Sequence, residues 1–280
     1  GKYVLTRDRA TYAISKEVES GRGSPAGGAY LSFQHVPDAE LRRAFGPVID
    51  RLAANGIDLT KQLVEVAPIA HYHMGGIRVD ETMQSTIPGL YACGEAIGGA
   101  NGANRLSGNA ITEAFVFGAR AGQSAAKNAL SASSHWSDAA AAPTVDLLRS
   151  ADKRDTPNLA VAVTDLQALM ADKVGPFRTE EKLGEAIVEI DRMASELGAA
   201  PPSSGMSFDP LLIDWLDLRN MLQVAKAVAV PALARKESRG AHQRDDHPGL
   251  EEAWTLNQII TLEGGEIALE RASIPKKASA

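Results

Sequence analysis

The chain has 280 residues, 44% of them hydrophobic and 23% charged, with a formal net charge of −6. That is enough apolar chain for one large or two smaller cored domains, which excludes disorder, and its scattered Lys and Arg exclude a nucleic-acid-binding stripe. No run approaches the roughly 18 apolar residues of a membrane-spanning helix, and a lone cysteine, Cys93, excludes an internal disulfide framework or a cysteine zinc site and fits a reducing compartment.

The chain opens on Gly1 rather than Met, which reads as a piece of a longer protein with a glycine left by tag removal. The spacing predicts a helix over 7–20: Thr6 as cap, Asp8 in the first turn, and Ala10, Ala13, Ile14 and Val18 on one face. Gly21-Arg22-Gly23-Ser24-Pro25 stops it. Alternation predicts a strand over 29–35. A second helix follows over 39–54, with Leu41, Phe45, Ile49 and Leu52 on its inner face and Asn55-Gly56 at its end. A strand over 63–69 leads into His71-Tyr72-His73-Met74-Gly75-Gly76. Next come a short strand at 77–79, a turn or hairpin connection at 80–86 and a buried strand at 90–93 set up by Pro88-Gly89. A Gly- and Asn-rich loop (94–108) feeds a helix of small residues over 110–130.

Residues 131–155 are rich in Ala and Ser with little pattern and read as a linker. Beyond them the period is helical. Leu166, Leu169, Met170 and Val174 belong to a helix that ends at Gly175-Pro176. Thr179 caps the next, whose apolar stripe is Leu183, Ile187, Ile190, Met193 and Leu197. A long helix over 211–234 carries Trp215 on its apolar face, as a core residue. Helices of this kind pack as an antiparallel bundle. The charged segment 236–280 holds a strand or two around 258–261 and 266–269, and no internal repeat is visible.

Two stretches carry chemistry. Gly89-Leu90-Tyr91-Ala92-Cys93-Gly94-Glu95 reads as a strand ending in Gly-acid. Such a strand presents a carboxylate at the sheet edge where open α/β folds bind cofactors, although an ordinary surface glutamate fits the same residues. Asn101-Gly102-Ala103-Asn104-Arg105-Leu106-Ser107-Gly108-Asn109-Ala110 feeds a helix N-terminus. Its free amides and positive dipole end suit an anionic ligand; a capped helix behind a glycine loop is the plainer alternative.

These runs resemble the C-terminal flavin-binding segment of the succinate dehydrogenase/fumarate reductase flavoprotein family. The resemblance rests on His71 through Ile77, on Gly89 through Glu95 and on Gly102 through Asn109. It extends upstream to Arg7-Asp8 and Gly21-Arg22-Gly23, and downstream to Glu237-Ser238-Arg239-Gly240-Ala241-His242 with Arg244, Asp246 and Pro248. It implies a mixed α+β and α/β fold: part of a capping domain (1–68), the C-terminal part of an FAD-binding α/β domain (69–130), the linker (131–155), a helical bundle domain (156–235) and a C-terminal tail (236–280).

The resemblance also implies roles. FAD is the cofactor, and a dicarboxylate, succinate or fumarate, is the substrate. Arg7 matches the arginine that exchanges a proton with the substrate carbon. His71 and Arg105 match the dicarboxylate ligands. Glu95 matches an FAD ligand, and Asn109, Ala110 and Ile111 open the helix whose backbone meets the flavin. A reduced flavin is negative at its N1–O2 edge, which suits that helix end. An iron–sulfur protein is the implied partner, and the location is cytoplasmic or on a membrane through partner subunits.

Two features depart from the family pattern. The Gly-x-Gly-x-x-Gly fingerprint for the FAD pyrophosphate is absent, so the isolated chain is expected to hold FAD weakly, or to act as a docking module. Asn101 stands where the family often has His. The Met74 context and the Arg-Gly-Ala-His tail favour succinate/fumarate chemistry over L-aspartate oxidation, the alternative on the same scaffold. His73, Arg239 and His242 read as structural, Cys93 as an inert strand residue, and His35, His135 and His247 as exposed.

Overall fold

A computed structural model describes residues 7–132, 137–153 and 156–274. The chain divides into two compact units, residues 1–71 and residues 72–280.

In the first unit, α1 (Arg7–Glu17) runs into a π-type turn (Val18–Arg22) in which Gly21 is left-handed. Thr6, the expected cap, lies outside the described residues. β1 (Ala29–Leu31) pairs antiparallel with β2 (Val64–Val66), Tyr30 opposite Glu65. Both strands are shorter than the alternation suggested. Between them α2 (Asp38–Ala53) is broken at Phe45, two residues before Pro47, whose ring cannot follow a regular turn. Leu41, Ile49 and Leu59 are buried and packed by Phe33, Val36, Leu52 and Val64.

The second unit starts in irregular chain. The buried strand expected at 90–93 is not formed: Leu90 is 46% exposed, and Tyr91 makes a single bridge to Gln84. The strand at 77–79 is likewise reduced to single bridges, Ile77 to Ile97 and Val79 to Ser85. A strand exists only through its neighbours' hydrogen bonds, and the described residues offer no continuous ladder here. Cys93 is therefore not a strand residue; it is half-buried and packs near Met83, Ile97 and Ala121. Gly94–Ala96 forms one 3₁₀ turn, and α3 (Asn109–Ser131) follows the glycine loop.

The expected linker contains a helix, α4 (Asp138–Arg149), with no buried residue. Its Ala-rich sequence has high helix propensity and no apolar stripe, so periodicity missed it.

The bundle is formed by α5 (Leu159–Lys173), α6 (Glu180–Leu197) and α7 (Pro210–Ala234). Their caps follow the sequence: Asn158 Oδ1 accepts from the amides of Ala160 and Val161, Thr179 Oγ1 from that of Lys182, and Asp209 Oδ1 from that of Leu211. Leu166, Leu183, Ile190, Leu197, Trp215, Leu218 and Leu222 form its core. Trp215 is fully buried, with its indole N–H on the Leu197 carbonyl. Pairing of β3 (Phe177–Arg178) in parallel with β4 (Gln243–Arg244) brings the C-terminal segment against the bundle. β5 (Leu256–Glu263) and β6 (Glu266–Ser273) close an antiparallel hairpin through Gly264-Gly265. No described helix is long and apolar enough to cross a membrane.

Leu183 has no exposed surface, whereas Val188 on the same helix is 71% exposed. Leu183→Ala is expected to lower stability by about 2–5 kcal/mol, and Val188→Ala by less than about 0.5 kcal/mol, in chemical denaturation.

Candidate active site

The segment Tyr72–His73 lies between two of the expected ligands. On one side the His73 amide donates to Glu95 Oε1 at 2.8 Å, which fixes a carboxylate that is otherwise exposed. On the other, the Arg105 guanidinium stacks over the Tyr72 ring, 4.4 Å from its centroid. The Tyr72 hydroxyl donates to Glu113 Oε2 at 2.6 Å, and Asn101 Nδ2 donates to the same oxygen at 3.0 Å. Glu113 is buried in the second turn of α3. Its hydrogen bond holds the Tyr72 phenol above its ordinary pKa, so the hydroxyl stays a donor.

Arg105 is half-buried. Its Nη1 donates to the Leu106 carbonyl at 3.2 Å, its Nε is buried with no acceptor, and it makes no salt bridge among the described residues. An arginine without an ion pair has its charge and remaining donors available for a ligand.

The α3 N-terminus is open. Gly108, the N-cap, is left-handed at φ +93° and provides no capping side chain. The amides of Asn109 and Ile111 make only long bonds, 3.3 Å each, to the carbonyls of Leu106 and Gly108. Amides left this loosely satisfied at the positive end of a 23-residue helix fit the electron-rich edge of a flavin, and Glu95 fits a cofactor hydroxyl. The donor set therefore fits FAD.

Glu95, Arg105, Asn109, Ala110 and Ile111 all lie in the second unit. His71, exposed, ends the first unit, and Arg7 opens α1 in that unit, its side chain outside the described residues.

Sequence reading assigned no role to Tyr72, Glu113 or Gly240. The Ala241 amide donates to the Ala103 carbonyl at 2.8 Å, tying the C-terminal segment to the Arg105 loop. Gly240 sits at φ +56°, and a Cβ there would come within 2.4 Å of that same carbonyl oxygen.

The turn is held by buried charge. Glu237, with no exposed surface, accepts from Arg235 at 2.6 Å, from Arg239 at 2.7 and 3.0 Å, and from the Glu251 amide at 3.0 Å. Burial alone would raise the Glu237 carboxyl; the Arg239, Glu251 and Arg235 hydrogen bonds outweigh it and hold it below the usual range. Arg244 Nη1 donates to the carbonyls of Ala232, Leu233 and Arg235 at the end of α7, while its Nε and Nη2 pair with Asp246. Asp246 in turn accepts from the Glu180 amide at the start of α6. His247 is half-buried rather than exposed, His35 is exposed, and His135 lies outside the described residues.

His242 Nδ1 lies 2.9 Å from Arg178 Nη1, which can only donate, so Nδ1 accepts and the imidazole is neutral. Burial first, then the Arg178 charge, pushes His242 down to about 4, with Arg235 and Arg244 adding to the effect. Protonation is favoured in the unfolded chain, so this contribution to stability is complete above about pH 6.5 and is lost as pH falls towards about 4. In thermal melts over that window, the melting temperature of the wild type is expected to fall with acidification. His242→Gln should flatten that dependence; an unchanged slope would assign it to other groups.

Residues 2–111 match the family model described as FAD binding domain, and residues 163–276 the model described as fumarate reductase flavoprotein C-term. The fumarate reductase flavoprotein subunit of Mycobacterium tuberculosis is 36% identical over 91% of this chain and 46% of its own length. The L-aspartate oxidase of Rhodospirillum rubrum is 35% identical over 89% of this chain and 80% of its own length. Among solved structures, the Mycobacterium smegmatis Sdh1 complex in the apo form superposes with a TM-score of 0.86 at 34% identity, covering 98% of this chain and 48% of that one. The chain thus spans about half the length of the fumarate reductase and Sdh1 chains. With both family models and a relative matched over most of its length, the chain belongs to the succinate dehydrogenase/fumarate reductase flavoprotein family, FAD-dependent oxidoreductases that include the L-aspartate oxidases.

Proposed function

We propose that this chain is the C-terminal part of an FAD-dependent oxidoreductase that interconverts succinate and fumarate. The observation that carries the reading is Arg105, a charged fork held by the Tyr72 ring and one carbonyl, with no ion pair to a carboxylate among the described residues. A planar guanidinium with unused donors matches a carboxylate. FAD, when bound, supplies the hydride acceptor or donor at N5.

In this reading residues 1–68 belong to a capping domain, 69–130 to the FAD domain, 131–155 to a linker, 156–235 to a helical bundle and 236–280 to a tail. Arg105 and His71 bind the two carboxylates of the substrate, which converts reaction into an oriented unimolecular step. Their positive charge polarises fumarate towards addition at one carbon. Arg7 gives its proton to the other carbon in the reductive direction and takes it back in the oxidative one. Ala110 and Ile111, with Asn109, turn the positive end of α3 towards the electron-rich edge of the cofactor, and Glu95 accepts from a cofactor hydroxyl. The partner is an iron–sulfur protein, through which the assembly reaches a membrane; that the similar Sdh1 chain was solved in a complex supports the presence of a partner.

L-Aspartate oxidation is the second reading, favoured by the Rhodospirillum rubrum relative. Turnover of succinate and of L-aspartate by the FAD-loaded flavoprotein, with an artificial electron acceptor, separates the two. Succinate oxidation is expected, and aspartate oxidation without it would replace the first reading by the second. In the same enzyme Arg7→Gln is expected to lower kcat by about a hundredfold or more with FAD retained. Arg105→Lys, which keeps the charge and loses the fork, should raise KM. Unchanged kinetics would refute these roles.

A further inference from the structure

Arg105 is a cation 4.4 Å above an aromatic ring whose hydroxyl is bonded to a buried carboxylate. The ring stands between a cation and an anion that make no ion pair with each other among the described residues. Glu113 is instead satisfied by two neutral donors, the Tyr72 hydroxyl at 2.6 Å and Asn101 Nδ2 at 3.0 Å. Glu113 meets Tyr72 at the hydroxyl, and Arg105 meets it at the ring face. The ring thus packs against the guanidinium without neutralising its charge. Asn101, which departs from the family's usual residue at this place, supplies the second donor and also approaches the Tyr72 hydroxyl at 3.4 Å.

We propose that Tyr72, oriented by Glu113 and Asn101, is a positioning residue that sets the plane of Arg105 and keeps its charge unpaired for a ligand carboxylate. The inference rests on the reading that Arg105 binds a dicarboxylate. Tyr72 and Glu113 act through Arg105 and touch no reacting atom. Their effect therefore falls on ligand binding and not on the redox step.

The test uses the FAD-loaded flavoprotein and two readouts. One is binding of malonate, a dicarboxylate with no C–C bond between methylene carbons to desaturate, followed by the flavin absorbance. The other is KM and kcat for the substrate that the wild type turns over. Tyr72→Leu removes the ring and is expected to weaken malonate binding and raise KM by about tenfold, equivalent to about 1.4 kcal/mol, with kcat within about threefold. Tyr72→Phe keeps the ring and loses the anchor, so a smaller rise is expected. Glu113→Gln weakens the same hydrogen bond from the other end and should match Tyr72→Phe. Wild-type binding of malonate together with equally tight binding by Tyr72→Leu would overturn the positioning role. A loss shared equally by kcat, affinity and flavin content would also overturn it, by assigning Tyr72 to folding. A wild type that binds no dicarboxylate would overturn the functional reading itself, an outcome visible before any variant is made.

Discussion

Arg244 is a full positive charge with almost no exposed surface, and the architecture of the second unit is arranged to satisfy it. Its guanidinium caps the end of α7 through three carbonyls and forms a two-pronged pair with Asp246, which receives the first amide of α6. One side chain thus fixes where two bundle helices end and begin. Removing a partner from such a set leaves a buried charge uncompensated, which costs about 3–5 kcal/mol in comparable cases. Glu237 obeys the same constraint next to it, taking donors from Arg235, Arg239 and the Glu251 amide. Each charge is matched, and the turn between them is the one that reaches the Arg105 loop.

The turn is joined to the site through short-range contacts of different kinds. The C-terminal turn meets the loop through the backbone, the loop presents Arg105, and a ring, a hydroxyl and a buried carboxylate return the chain of contacts to α3. The helix with the open N-terminus therefore also anchors the arginine, through Glu113 and Tyr72.

Much of this was legible in the sequence where local rules decide the structure. The cap at Thr179, the stripe from Leu183 to Leu197 and the strands around 258–261 and 266–269 follow from spacing and composition. The three motif runs pointed to a cofactor loop ahead of a helix. What escaped was non-local or non-periodic. α4 has no fully buried residue and packs on the bundle core only through Leu147, so it left little apolar period. Leu90–Cys93 has the composition of a strand, but strand formation depends on neighbours that composition does not reveal. The charged tail read as structural at Arg239 and His242, but the burial of Glu237 and Arg244 was not legible, because a buried charge with partners reads in sequence like any other charge. Tyr72 and Glu113 stand 41 residues apart, beyond any local pattern.

The meeting of Ala241 with Ala103 is made entirely of main chain, with a glycine next to it because no side chain fits. A junction of this kind has no adjustable parts. Alanine scanning is silent at Ala103 and Ala241, which are alanine already, and detects the junction only through Gly240→Ala. Sequence drift among relatives cannot tune it by degrees, because any residue larger than glycine at 240 meets an oxygen rather than a yielding side chain. The link between the tail and the arginine loop is therefore either kept whole or lost.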